Sequence, residues 1–188
     1  MRSRIYLRAP VPGDCDEFLA AVRASRGLHH PWVKPPGDGK AFLDWLARMQ
    51  PPANATFLVC RRDTGAIAGV INVSNIVRGA FQNAYLGYYC FAGHERQGVM
   101  RDGLRAVMKL AFDELGLHRL EANIQPANLA SIRLVKGVGF QREGFSPKYL
   151  KIGGRWRDHE RWAILNEEWM AVHHQDGAAP ETRISQVV

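Results

Sequence analysis

The amino-acid sequence predicts a mixed α/β fold of the α+β class, in which one sheet of about seven strands has helices on both faces. Apolar residues recur at steps of three and four in several segments, which is the period of one helix face. Shorter apolar or alternating runs, separated by glycine and proline, predict strands. The strands are first consecutive and then alternate with helices. We therefore expect an antiparallel part followed by two strand–helix–strand crossovers.

The first third of the chain predicts one strand and two helices. Residues 5–9 form an apolar strand, which the prolines after it end. Asp14 or Asp16 is expected to cap the first helix, and Asp38 to cap the second. Between the helices lies a loop rich in proline and glycine, residues 27–39, and such loops often carry binding residues.

A β-hairpin is expected next, because Asp63-Thr64-Gly65 joins two apolar runs at residues 56–61 and 67–76. Another strand follows at residues 84–91, and a short polar turn marked by glycine, residues 92–98, separates it from a long amphipathic helix. The apolar face of that helix is made of Met100, Leu104, Val107, Met108, Ala111, Phe112 and Leu115.

The C-terminal half predicts further strands and two shorter helices. Asn128 is expected to cap the first of these helices, and Gly139 suits its left-handed end. The other predicted elements are strands at 119–124, 140–145 and 156–165, a connection or hairpin at 149–154, and a last helix at 166–174. Residues 1–174 are therefore expected to form a single domain, followed by a flexible tail at 175–188.

The composition limits the kinds of protein to which this chain can belong. The 188 residues are 46% hydrophobic, which is enough for one sizeable core. Neither a secretory leader nor a membrane span is expected, because no segment is long and apolar enough. Cys15, Cys60 and Cys90 are an odd number without CxxC spacing, so we expect free thiols in a reducing cytoplasm. The adjacent histidine pairs are not expected to bind metal, because neighbouring side chains diverge.

The formal net charge of +7 favours anionic partners. A nucleic acid, a ribosome surface and a phosphorylated cofactor are alternatives, and simple solubility is another. Arginine and lysine occur singly on polar faces, as Arg101, Arg105 and Lys109 do on the long helix, and not as a block. Direct nucleic-acid binding is therefore not expected.

The turn at residues 94–100, HERQGVM, has the features of an anion site. Gly98 permits close approach of the backbone to a ligand. The N–H groups of about residues 97–101 have no partner within the helix, and the helix dipole adds positive potential to them. With Arg96 these groups suit a pyrophosphate. The segment is neither a P-loop nor a GxGxxG dinucleotide fingerprint.

At this point the chain resembles the GCN5-related N-acetyltransferases (GNAT), and specifically their RimJ/RimL-type branch. The family's acetyl-CoA signature, [Q/R]-x-x-G-x-[G/A] between a strand and a long helix, falls on residues 95–100. The segments that match the branch are PWVKPP at 31–36, LGYY at 86–89, RQGVMRDGL at 96–104, LGLHRLEANIQPANLASIRLVKGVGF at 115–140, Glu143-Gly144, Tyr149 and GRWRDH at 154–159. The resemblance covers about residues 4–169.

The resemblance implies a GNAT-type central sheet, twisted and mostly antiparallel. It also implies that an acetyl group passes from acetyl-CoA, as co-substrate, to a primary amine in a ternary complex, with no metal. The cofactor-binding residues that it implies are Cys90, Phe91, Ala92, Arg96, Gln97, Gly98, Val99, Met100, Arg101 and Asn128. Glu95 and Gln97 depart from the usual pattern, since Glu95 replaces Gln or Arg and Gln97 replaces Lys or Arg, while Arg96 stands at a Gly or Arg position. Glu95 is expected to face away from the phosphates.

The residues offer several candidates for the acid and the base. Some relatives use a tyrosine as acid where this chain has Val135, so Ser131 is the substitute that the branch suggests, and Tyr149 is a second candidate. For the base, strand alternation puts Glu121 on the face that could line the cleft through a water, with an ion pair on a solvated face as the alternative. Glu160 is a further candidate.

Trp32 and Tyr89 are the candidate substrate-binding residues, and Trp32 is either a wall of the groove or a packing anchor. The resemblance implies a protein N-terminal α-amine as acceptor, including that of a ribosomal protein. A small amine (amino acid, antibiotic or polyamine) is an alternative, although a basic enzyme repels a polyamine. A non-catalytic module that binds acyl-CoA or nucleic acid is another. A monomer or a homodimer is expected.

Overall fold

The computed structural model describes residues 3–173, so the tail predicted at 175–188 lies outside the described residues. The chain forms one seven-stranded sheet in the order β1-β2-β3-β4-β5-β7-β6. The strands are β1 Ile5–Arg8, β2 Ala55–Arg61, β3 Ile67–Val77, β4 Asn83–Cys90, β5 Arg119–Ile124, β6 Gln141–Ile152 and β7 Arg155–Leu165. The helices are α1 Cys15–Ala24, α2 Arg26–His29, α3 Gly39–Arg48, α4 Val99–Lys109, α5 Leu129–Lys136 and α6 Asn166–His173.

Every neighbouring pair of strands is antiparallel except β4 and β5, which are parallel. A parallel pair needs a crossover connection, and α4 supplies it. The predicted mixed sheet, mostly antiparallel with helices on both faces, is confirmed.

Several local predictions were wrong. The loop at 27–39 begins inside the short helix α2, and residues 141–152 form one long strand, β6, whose register shifts twice against β7. The connection or hairpin predicted at 149–154 is the end of this strand with its turn at 153–154 into β7. The long helix changes to a π-helical turn at Leu110–Glu114. Asp14 precedes α1 without capping it, because its carboxylate accepts hydrogen bonds from Arg8 and from the Val11 N–H.

Two hydrophobic clusters cover the two faces of the sheet. On one face α4 packs its apolar stripe against the central strands. Gly103 allows this approach, because a Cβ there would lie 2.9 Å from a Val59 methyl. On the other face α1 and α3 cover β2, β3 and the end of β4 with aromatic side chains, among them Phe18 and Phe42.

The parallel pair separates soon after it begins. Its register covers only three residue pairs, from Asn83↔Arg119 to Tyr85↔Glu121. Beyond them β4 continues to Cys90 and β5 to Ile124. The carboxyl ends of the two strands therefore diverge, and a cleft opens through the sheet between them.

Candidate active site

The cleft between β4 and β5 has a volume of about 1160 Å³. Its walls come from the last residues of both strands, from the turn before α4, from α5, and from the segment at α2. A concave site at the point where neighbouring strands separate is a common place for a ligand. We distinguish two sides of this cleft by the alternation of residues along the strands.

The first side is called the α5 side here. Leu86, Tyr88 and Cys90 of β4 face the hydrophobic cluster of α4 and α5. The second side is called the α2 side. It carries Tyr89 of β4, which belongs to the opposite cluster. In β5 the odd-numbered Asn123 shares this second face, because Tyr85 and Glu121 are a register pair and successive residues alternate.

The edge of β4 that faces the cleft carries unpaired backbone groups. The Phe91 N–H donates to the Ala68 carbonyl of β3 at 2.9 Å. Because antiparallel bonds alternate, the backbone groups of Cys90 and Tyr88 point away from β3 and into the cleft. The Ala92 N–H donates to the Ser25 Oγ at 2.9 Å. Of the three predicted backbone positions, Cys90 therefore presents its N–H to the cleft.

The turn before α4 has the geometry of an anion site. Arg96 and Gly98 are both left-handed, with φ of 57° and 78°. Among the described residues, no side chain caps the start of α4. The N–H groups of Val99, Met100 and Arg101 therefore point out of the first turn toward the cleft, and the helix dipole adds to their positive potential. Successive N–H groups in such a turn form a concave anion site.

Two arginines that the sequence did not single out hold this turn. Arg4 donates to the Gln97 carbonyl at 2.9 Å, and Arg61 donates to the Gln97 side-chain oxygen at 2.6 Å. The Gln97 amide in turn donates to the Gly93 carbonyl at 2.6 Å. The Glu95 carboxylate accepts from the Gly93 N–H at 2.7 Å. Gln97 and Glu95 thus shape the turn through their side chains.

Ser131 of α5 lies on the α5 side and touches β4. Its Oγ is 2.6 Å from the Tyr88 hydroxyl, and its N–H donates to the Asn128 side chain at 3.2 Å. Asn128 thereby caps α5, as predicted. Burial raises the pKa of the Tyr88 phenol well above its usual range, so Tyr88 stays neutral beside Ser131. Val135 is buried in the core and offers no acid.

The other acid and base candidates have partners elsewhere. The Glu121 carboxylate pairs with Arg119 at 2.8 Å and does not line the cleft, which favours the ion-pair alternative. Glu160 accepts from the Trp162 indole at 3.1 Å and pairs with Arg142 at 3.2 Å.

Tyr149 likewise lies outside the residues that line the cleft. Its ring packs edge-on against His159 at 6.2 Å between centroids. Tyr149 therefore contacts His159, which lines the cleft, without lining the cleft itself.

The α2 side of the cleft is aromatic. Trp32 lies there half-buried, and its carbonyl accepts from the Gln125 amide at 3.3 Å. Tyr89 is only 8% exposed and packs edge-on against His29, whose Nε2 donates to the Cys90 carbonyl at 2.8 Å. Since a carbonyl only accepts, this bond fixes the proton on Nε2. Burial lowers the pKa of His29.

Several cleft-lining residues were not identified as site residues from the sequence, among them His29, Tyr88 and His159. Tyr88 and His159 lie in the matched segments LGYY and GRWRDH, but the local pattern gives these three residues no role, because their placement depends on pairing between distant segments. Within residues 3–173, no group of three or more His, Cys, Asp or Glu side chains could hold a metal ion. No helix in the same range is long and apolar enough to cross a membrane.

Comparison with known proteins gives a consistent picture. A family model described as "Acetyltransferase (GNAT) domain" matches residues 4–141. The probable N-acetyltransferase YjcK of Bacillus subtilis is 36% identical over 132 residues, which are 70% of this chain and 73% of that protein. The ribosomal protein uS5-alanine N-acetyltransferase of Escherichia coli is 38% identical over 107 residues, 57% of this chain and 55% of that protein. The chain thus spans about half the length of this second relative.

Solved structures share the same fold. Mycobacterium smegmatis RimJ in complex with CoA-disulfide superposes with a TM-score of 0.81 at 24% identity, covering 87% of this chain and 83% of that one. Spermidine N-acetyltransferase from Vibrio cholerae, in complex with CoA and spermine, superposes with a TM-score of 0.76 at 19% identity, covering 90% and 99%. At these identities the similarity shows the fold.

Proposed function

We propose that this chain, which belongs to the GNAT family and is an N-acetyltransferase, moves the acetyl group of acetyl-CoA to the N-terminal α-amine of a protein. The exposed N-terminus of a ribosomal protein is the first candidate, since the Escherichia coli relative carries that activity in its name. The observation that supports the proposal most is the cleft between β4 and β5, with an anion site at one end.

The cofactor would follow the free edge of β4. The pyrophosphate would sit on the turn at 96–101, where Arg96 and the backbone N–H groups of α4 are available. The pantetheine would run along the cleft-facing backbone of Tyr88 and the Cys90 N–H, with Asn128 at the far wall. The Cys90 carbonyl is already bound to His29. The Cys90 N–H then lies where a thioester carbonyl oxygen would gain charge during the reaction.

The protonation state of Cys90 in the cleft is consistent with a direct attack of the amine on the thioester. Burial raises the pKa of the Cys90 thiol to about 12, so this thiol is protonated and is a poor nucleophile. Ser131 lies on the α5 side and carries a hydroxyl that Tyr88 orients. We assign Ser131 the role of the acid that protonates the departing CoA thiolate.

The charge of the cleft favours an N-terminal amine over a polyamine. Its ionised side chains are Arg96, Arg101 and Arg133 against the single carboxylate of Glu95, which is bound to the Gly93 N–H. A polyamine carries several positive charges and would need carboxylates there. An α-amine also has a pKa of about 7.7–8.0, against about 10.4 for a lysine-like amine, so more of it is neutral at pH 7.

We expect a peptide with a free N-terminus to be acetylated with a kcat/KM about 100-fold above that of spermidine, because each misplaced charge in a partly buried cleft costs about 1 kcal/mol or more. The measurement is CoA release with both acceptors under the same conditions. The matched control is the same peptide with a blocked N-terminus and one internal lysine, which should be a poor acceptor.

Three results would count against the proposal. Faster turnover of spermidine would identify a polyamine enzyme, which the Vibrio cholerae fold relative exemplifies. Equal turnover of the blocked, lysine-containing peptide would identify a side-chain acetyltransferase. Tight acetyl-CoA binding with no turnover on any amine would identify a binding module.

A further inference from the structure

One residue on the α2 side of the cleft has no role so far, although it is buried and carries a titratable ring. His159 of β7 is 3% exposed and lines the cleft. In the pairing of β5 with β7, Asn123 lies opposite Arg161 and Ile124 opposite Glu160. One further step along both strands places His159 beside Gln125. Its side chain therefore lies on the same face as Asn123, across the sheet from Ser131.

A hydrogen bond fixes the tautomer of this ring. His159 Nδ1 lies 2.9 Å from the backbone carbonyl of Arg157. A carbonyl oxygen only accepts, so Nδ1 carries the proton, and the neutral ring has its lone pair on Nε2. Within the described part of the chain, Nε2 has no hydrogen-bond partner. The ring is thus held from behind by β7 and presents a proton acceptor to the cleft.

Burial keeps His159 neutral near pH 7. Burial lowers its pKa below the ordinary 6.5, against smaller opposing effects of the Arg157 carbonyl and the Asp158 charge. The Asp158 carboxylate is itself bound to the Lys148 N–H at 2.7 Å. Tyr149 of β6 packs on the ring edge, and Arg161 and Glu121 share its face of the sheet. The other titratable groups that line the cleft include His29, Tyr89, His94 and Glu95.

We propose that His159 is the general base of the acetyl transfer, an inference that rests on the proposed function. The amine nitrogen forms a bond to the thioester carbon, and one N–H proton passes to His159 Nε2 as the C–S bond breaks. The Ser131 hydroxyl gives its proton to the CoA sulfur. His159 then releases its proton to solvent, and Ser131 recovers one from solvent. The products are the amide and free CoA, and the base and the acid act from opposite sides of the sheet.

His29 is the competing base, and its geometry is less suitable. Its Nε2 donates to the Cys90 carbonyl, so its free lone pair is on Nδ1. That Nδ1 is buried without a partner beside Tyr89, away from solvent. A general base must return its proton to water after each turnover, and His159 Nε2 is not among the buried nitrogens without a partner.

The test uses the full chain with His159→Gln, and with His118→Gln as a matched control, because His118 is half-exposed beside Glu167. The acceptor is whichever amine the wild type acetylates. We expect His159→Gln to lower kcat about 10²–10⁴-fold, the usual contribution of a general base, with little change in the dissociation constant of acetyl-CoA. His118→Gln should retain wild-type kcat.

The pH profile separates a base from a packing residue. Because the working form of His159 is neutral, wild-type kcat should fall as pH drops through a pKa below 6.5, and His159→Gln should lack this limb. Added imidazole should restore part of the activity of His159→Ala. Nitrogen NMR of the free protein should show a neutral ring with the proton on Nδ1, independently of any turnover.

The inference would be overturned if His159→Gln kept the wild-type kcat and the fall of kcat at low pH. It would also be overturned if the NMR spectrum showed the proton on Nε2. If small amines react and peptides do not, the proposed acceptor is wrong, yet the loss in His159→Gln is still expected. If no amine reacts, the base role and the proposed function fall together. A loss of thermal stability without a loss of the pH limb would show a purely structural role.

Discussion

The Gly98→Glu variant is expected to lose acetyl-CoA binding, with a dissociation constant at least about 100-fold above that of the wild type. A Cβ at this position would lie 3.5 Å from an Arg4 guanidinium nitrogen and 3.7 Å from one of Arg101, at the start of α4, and the added carboxylate would repel the phosphates and compete with them for these cations. Losing one or two hydrogen bonds to a charged group costs about 1.5–3 kcal/mol each, which gives this magnitude. Titration calorimetry with acetyl-CoA measures it.

A second glycine provides the control for backbone strain. Gly98 and Gly79 are both left-handed, with φ of 78° and 72°. A Cβ at Gly79 would meet open space, and Gly79 does not line the cleft. Each substitution by Glu should cost about 1–2 kcal/mol of stability, but only Gly98→Glu should lose the cofactor. Wild-type affinity in Gly98→Glu would mean that the pyrophosphate binds elsewhere.

The Ser131→Ala variant is expected to lower kcat about 100-fold while the dissociation constant of acetyl-CoA changes little. The substitution removes the hydroxyl assigned to the CoA thiolate, and the contribution of a general acid is typically about 10²–10⁴-fold. The Asn128 cap of α5 uses the Ser131 backbone N–H and is retained, so the helix should keep its position. Steady-state kinetics at saturating cofactor measure the loss.

The control for this variant is Ser74→Ala. The Ser74 hydroxyl bonds the Tyr85 carbonyl on β4 and lies outside the cleft, so its removal should leave kcat unchanged. Tyr88→Phe tests the contribution of the Tyr88 hydroxyl by itself, because it removes the 2.6 Å contact with Ser131 Oγ and leaves Ser131 in place. We expect an intermediate loss there. A kcat within twofold of the wild type in Ser131→Ala would exclude Ser131 as the acid.

Helices and strands could be predicted from the order of apolar and polar residues, because burial in each element follows the period of that helix or strand. β5 was predicted at its observed bounds, since its alternation of buried and half-buried residues is complete. Asp38 and Asn128 cap helices as their residue types suggest. The long β6 was not predicted whole, because Pro147 and two register shifts interrupt the alternation on which the prediction depends.

The part of the candidate site that consists of consecutive residues could be predicted from the sequence. The part that depends on contacts between distant segments could not. The turn at 94–100 could be read directly, because strand, glycine and helix are consecutive. The pairing of Tyr88 with Ser131 joins residues 43 positions apart, and that of His29 with Cys90 joins residues 61 apart. No spacing in the sequence encodes such contacts, since they depend on how β4 and β5 diverge.

Amide chemical shifts during a titration with acetyl-CoA test the central claim most directly, because they report on the backbone groups assigned to the cofactor. The account predicts that the largest changes occur at Cys90 and at residues 97–101, on the free edge of β4 and the start of α4. Changes confined to the surface groove between α5 and β6, near Leu129 and Gln141, with none at Cys90 and Gly98, would contradict it.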